Sequence, residues 1–202
     1  MLRPNMAIEN WLANDELFFE QSHIGRQWEL YIGLLLLNEG FSVKLTPKKD
    51  LEARDDIKKY NNQKDLLVGS FESNEQIYFE VKSRKLEFTT PSDFPFDTAL
   101  VETVSSWKKK TKKPHLILLI SQKTKKIVGV NRNTEDKWII KEDQYDSVRK
   151  ITDPSYLVSK ELLTEWGSIV NWLHKIFKVE KIYKREFIKK QKPPEMKESI
   201  VW

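Results

Sequence analysis

Apolar positions along this 202-residue chain follow two rhythms. Between Gly25 and Leu37, Trp28, Ile32, Leu35 and Leu36 return every three or four positions, as one face of a helix does. Asn38-Glu39-Gly40 closes that run, with Gly40 suited to a left-handed cap. A period of two then takes over in Phe41–Leu45 and returns in Ile77–Lys82, which predicts strands. Between them a polar stretch, 48–64, leads into the short apolar run that follows Asp65. Leu116–Ile120 is apolar throughout, the mark of a central strand buried on both faces. Ile127–Val130 and Trp138–Ile140 predict further short strands, and over 160–177 Leu163, Trp166, Ile169, Val170, Leu173 and Phe177 share a helical face. Pro91 and Pro95 flank a loop, and 98–104 fits strand or helix. This order predicts an α/β fold with a mixed central β-sheet flanked by helices. Residues 1–150 would form the core, and 151–202 a C-terminal helix and basic tail packed on it or extending it.

Composition narrows the chemistry. With 39% hydrophobic and 11% aromatic residues the chain can fill a core, which excludes wholesale disorder. The absence of cysteine excludes disulfides, thiolate zinc sites, iron–sulfur clusters and thiol nucleophiles. Tyr31–Leu37, the longest apolar stretch, is far short of the ~20 residues of a membrane span. The polar start Met1–Asn5 lacks a signal core, so the chain reads as cytoplasmic. No phosphate-binding Gly-rich loop is present, and His23, His115 and His174 are too scattered for a metal or HNH-type site. The net charge of +5 is mild, but its placement is not: 175–192 holds eight basic residues against two acidic ones, and Lys108, Lys109, Lys110, Lys112 and Lys113 form a second run. Such runs are solvated surface or a phosphate-facing surface.

One strand carries candidate chemistry. Alternation sends Ile77, Phe79 and Val81 to the core and puts Glu80 and Lys82 on the other face, where both can reach one bound phosphate. The chain holds four acid-x-Lys triplets, roughly what chance supplies, so context must decide. Only Glu80–Lys82 lies in a clean alternating strand. If Glu72–Glu75 turns the chain about Ser73-Asn74, Asp65 faces Lys82 and Leu67 faces Glu80. Asp65 and Glu80 are then diagonal neighbours, about 7–8 Å apart at the backbone, and two carboxylates can share a Mg²⁺ ion. A slip of one residue would bury Asp65. Glu29, mid-helix between Trp28 and Ile32, is an acid at the edge of the apolar stripe or one aimed at a cation. Asp97 and Glu102 could add a ligand, though capping or solvation suits them better.

Gly25-x-x-x-Glu29 in a leading helix, Asp65-Leu-Leu-Val68, and Phe79-Glu80-Val81-Lys82-Ser83-Arg84 together resemble the PD-(D/E)xK nuclease superfamily, which includes restriction endonucleases and resolvases. The resemblance spans about residues 22–130, with Lys64 where the motif has its nominal Pro. It implies a restriction-endonuclease-like core and a metal-dependent hydrolase acting on DNA phosphodiesters. Asp65 and Glu80 would be the metal ligands, assisted by the carbonyl of Val81. Lys82 would orient the attacking water and steady the transition state, and Glu29 would aid metal or water positioning. Mg²⁺ would be the cofactor, with Mn²⁺ a substitute. Ser83, Arg84 and Lys85 could grip the flanking backbone, the two basic segments would hold the duplex, and a homodimer would serve cleavage of both strands. A structure-selective, junction-resolvase-like nuclease and a non-catalytic DNA-binding module are the alternatives.

Overall fold

The computed structural model describes residues 23–46, 65–146 and 151–179; the polar stretch 48–64 and the basic segment beyond residue 179 lie outside them. The first described helix, α1 (23–38), buries Trp28, Ile32 and Leu36 completely. Gly40 ends it at φ 91°, where a side chain would be strained. The Gly40 N–H donates to Leu37 O at 3.0 Å and the Phe41 N–H to Leu36 O at 3.1 Å, the paired bonds of a Schellman cap. That cap turns the chain into β1 (Ser42–Leu45) and drives Phe41 into the core.

β2 (Leu66–Gly69) and β3 (Gln76–Arg84) follow as a hairpin, then β4 (Thr98–Thr103), α2 (Val104–Lys109), β5 (Leu116–Ser121) and β6 (Ile127–Asn131). Beyond two 3₁₀ turns, Arg132–Lys137 and Lys160–Leu162, lie β7 (Ile139–Lys141), β8 (Tyr145–Asp146), β9 (Ile151–Thr152), β10 (Ser155–Ser159), β11 (Leu163–Glu165) and α3 (Trp166–Phe177). The main sheet has the order β1-β2-β3-β5-β6-β11. Only β3 and β5 run parallel within it, because β4 and α2 form the long crossover that parallel neighbours require. The fold is thus a mixed six-stranded sheet flanked by helices, as the pattern predicts.

β5 shows why the sheet is buried on both sides. Leu116, Leu118 and Ile120 pack toward α1 and α3, while Ile117 and Leu119 pack against a second sheet of order β4-β10-β7. Gly129 lets α3 settle on β6, since a Cβ there would lie 2.5 Å from Ile169 Cδ1. Residues 151–179 belong to both layers: β11 completes the main sheet and β10 is the middle strand of the second.

Three expectations need correction. Residues 160–165 are not α-helical; α3 starts at Trp166, and the stripe before it is a 3₁₀ turn and β11. The strand expected at 138–140 is Ile139–Lys141, an edge of the second sheet. The β2–β3 register is offset by two residues, with Leu66 facing Phe79 and Leu67 facing Tyr78. Ser70 accepts from Glu72 N, and Ser73 from Glu75 N, which centres the turn earlier than Ser73-Asn74. A shift of two keeps every side chain on its expected face.

Candidate functional site

The β3 alternation delivers what its sequence suggests: Ile77 and Phe79 are buried under the helices, and Glu80 and Lys82 emerge on the opposite face. β2 is shorter than β3, so Val81 lies beyond its last partner, and the Val81 N–H donates instead to Asp65 Oδ2 at 2.7 Å. Extending the observed register puts Asp65 beside Glu80, not Lys82. Tyr78 and Arg84 turn their carbonyls toward β5, so the backbone groups of Val81 face the edge that Asp65 occupies.

The opposite face holds a four-membered ring of alternating charge. Lys82 Nζ lies 2.8 Å from Glu80 Oε1 and 2.9 Å from Glu102 Oε2. Lys110 Nζ closes the ring, 3.0 Å from Glu102 Oε2 and in contact with Glu80 Oε2. The four side chains are only 14–16% exposed. Burial alone would pull the Lys82 ammonium down, but Glu80 and Glu102 outweigh it and hold Lys82 well above the usual lysine range. Burial likewise pushes Glu102 up, and Lys82 and Lys110 override it, holding the carboxyl well below the usual carboxylate range. Lys82 is therefore a hydrogen-bond donor and a fixed positive charge at neutral pH, not a proton acceptor.

Glu102 and Lys110 arrive through the crossover. β4 carries a bulge at Val101, where Leu100 pairs with Leu157 and Glu102 with Tyr156. Such an extra residue re-aims the side chains beside it, and here Glu102 reaches across to β3. Its Oε1 also accepts from Thr103 N at 3.1 Å. Thr103 then caps α2 by accepting from Ser106 N. Both alternatives for 98–104 thus hold in part, strand to Thr103 and helix from Val104. Trp107 pins α2 in the second core, its indole donating to Glu135 at 2.7 Å.

The remaining expected residues distribute as follows. Glu29 is 2% exposed and pairs with Arg26 at 2.9 Å. Arg26 also donates to Thr46 O, and Thr46 N donates to Asp65 O, so Glu29 is tied to the Asp65 backbone through these groups. Ser83 accepts from Gln122 Nε2 at 3.0 Å, Arg84 lies on the face of Lys82, and Lys85 is exposed. The lysine run splits: Lys108, Lys109 and Lys112 are exposed, Lys110 enters the ring, and Lys113 pairs with Glu135 at 2.6 Å over the Trp107 ring. Asp97 is 96% exposed beside Lys160, away from the ring. The lone signal for Glu102 was an acid ending an apolar strand next to a Thr-capped helix. Nothing local distinguishes Lys110 from its neighbours.

Among the described residues, no three acidic or histidine side chains are disposed to hold a metal ion. Two carboxylates suffice for Mg²⁺ when waters and phosphate complete the shell. The gap between Glu80 and Glu102 already accepts a cation, the ammonium of Lys110. Asp65 and Glu80, which the register sets side by side, are hard oxygen donors of the kind Mg²⁺ takes, while both oxygens of Glu80 are engaged by lysines.

No protein-family model and no curated protein matches the chain. Among solved structures the chain is similar to a nuclease from a fusselovirus, at 8% identity and a TM-score of 0.35, over 88% of this chain and 98% of that one. Among the described residues no helix is long and apolar enough to cross a membrane.

Proposed function

We propose that this chain is a divalent-cation-dependent endonuclease that hydrolyses phosphodiester bonds in DNA. The observation that carries the reading is the convergence of Asp65, locked onto the Val81 N–H, with Glu80 and Lys82 on the same stretch of β3. Asp65 and Glu80 would hold Mg²⁺, with Mn²⁺ as a substitute, and the Val81 carbonyl would assist. Such an ion, when bound, makes a coordinated water nucleophilic near neutral pH and draws charge from the phosphate. Lys82, kept protonated by two carboxylates, donates to a phosphate oxygen or to the attacking water and offsets charge that grows in the transition state. Glu29 and Arg26 steady the Asp65 backbone through Thr46. Arg84 and the exposed Lys85, Lys108, Lys109 and Lys112 supply a basic rim for the flanking backbone.

The self-satisfied charge ring also suits a second reading, a DNA-binding module that does not cut. Plasmid cleavage separates the two. The first reading expects nicking or linearisation with Mg²⁺, abolition by EDTA, and loss of activity in Lys82→Ala; an uncut plasmid that is still retarded on a gel supports the second. Branched against linear duplexes in the same assay reveal structure selectivity.

A further inference from the structure

We infer that the outer edge of β7 joins a second copy of this chain, the two β7 strands pairing antiparallel about a two-fold axis at Ile140. Among the described residues β7 is an edge strand of the second sheet, paired on one side only, with β10. Ile139 and Ile140 point to opposite faces of that strand, yet they are 54% and 48% exposed. A strand that shows isoleucine on both faces beside an open edge is a template for another strand.

The backbone fixes which groups are on offer. Val104 N–H donates to Pro154 O at 2.8 Å and Lys160 N–H to Asp97 O at 2.9 Å, so even-numbered residues of β10 turn their backbone toward β4. Bonding direction alternates along a strand, so Ser155 and Leu157 turn toward their β7 partners, Lys141 and Ile139. Ile140 therefore points its N–H and C=O outward. Trans peptides send Trp138 C=O and Glu142 N–H the same way, while Trp138 N–H is taken by Glu135 O. Setting Ile140 opposite Ile140 of the second copy satisfies all of these groups. Two bonds join the isoleucines, and each Glu142 N–H donates to Trp138 O of the other chain.

Charge selects the same register. Pairing about Ile140 leaves Lys137 and Asp143, both exposed, flanking the joint, where each meets the opposite charge on the second copy. An axis at Ile139 would bring Lys137 against Lys141, and an axis at Lys141 would oppose the two Lys141 side chains, both of which are unfavourable. The joined sheet has the order β4-β10-β7-β7-β10-β4, and the two strands that carry Glu102 stand five spacings, about 24 Å, apart.

Position-specific cross-linking tests this, because the chain has no cysteine of its own. Under mild oxidation Ile140→Cys should form a disulfide-linked dimer, since opposed, hydrogen-bonded residues have Cα atoms about 5.5 Å apart, within disulfide range. Ile139→Cys, which faces Lys141 of the second copy, should cross-link at least about tenfold more slowly. Sedimentation equilibrium supplies the second arm. Lys137→Glu and Asp143→Lys should each weaken dimerisation by about tenfold, because two contacts turn from attraction to repulsion. A mixture of the two variants should dimerise as wild type does, since both contacts then join unlike charges. Circular dichroism checks that each variant folds. A wild type that stays monomeric, equal cross-linking of Ile139→Cys and Ile140→Cys, or a mixture no more dimeric than its separate parts overturns the inference. None of these readouts depends on cleavage, so the nuclease reading stands or falls separately.

Discussion

Replacing Glu102 by Gln removes one negative charge from the ring while keeping the shape of the side chain and an acceptor for Thr103 N. Lys82 and Lys110 then share Glu80 alone, and a neutral cluster only 14–16% exposed becomes positive. Removing one partner of a buried ion pair costs about 3–5 kcal/mol. The residual exposure and the acceptor oxygen of Gln bring the expected loss to about 2–3 kcal/mol. With a urea m-value of about 2 kcal/mol/M, the unfolding midpoint should fall by roughly 1 M. Glu87→Gln is the control, since Glu87 and its partner Lys123 are 68% and 62% exposed. It should change stability by less than about 0.5 kcal/mol. The double variant Glu102→Gln/Lys110→Gln restores neutrality and should recover about 1–2 kcal/mol relative to additivity. The sign with pH is also set. Glu102 has a folded pKa below its unfolded value of about 4.3. Its contribution is present above that value and is lost as pH falls toward the folded one. Wild type should therefore lose its advantage over Glu102→Gln below about pH 4.3. A midpoint shift for Glu102→Gln no larger than for Glu87→Gln would refute the reasoning that these charges act as one desolvated ring.

Other outcomes are equally specific. Asp65→Asn keeps an oxygen for the Val81 N–H and should fold, but plasmid cleavage should drop by at least a factor of about 100, as with loss of a group that stabilises transition-state charge. Gly129→Ala sets a Cβ 2.5 Å from Ile169 Cδ1, the far end of a side chain that must turn aside, and should lower stability by no more than about 1 kcal/mol by chemical denaturation, with Ile169→Val restoring it. Charge reversal at Lys108, Lys109 and Lys112 together should weaken DNA binding and flatten its log–log salt dependence by up to about 2.7, while thermal stability stays nearly unchanged.

The elements governed by near neighbours were legible in the sequence. The apolar spacing from Trp28 to Leu36 and the glycine at position 40 specify α1 and its cap, because helix period and left-handed geometry are local properties. The alternation through Ile77–Lys82 specifies which side chains share a face, and so it placed Glu80 and Lys82 together. Alternation sets register only to within two residues, however. Choosing Leu66 opposite Phe79 fell to the turn after Gly69, where Ser70 and Ser73 bind the backbone and a Cβ at Gly69 would lie 2.7 Å from Glu75 O.

The stripe over 160–177 misled because Leu163 faces the core from a strand as well as it would from a helix; apolar spacing alone does not separate the two in a short segment. Glu102 and Lys110 show the larger limit. One reads as a strand-end acid and the other as one lysine of five, and each acquires its role from a partner on β3 that a crossover brings into reach. The bulge at Val101 and the anchoring of Trp107 are tertiary events, decided by the packing of the second sheet. The chain by itself determined which residues carry charge and which face of β3 presents them. Only the folded structure decided which charges meet, because ion pairing follows distance through space and desolvation, and neither is encoded by proximity along the backbone.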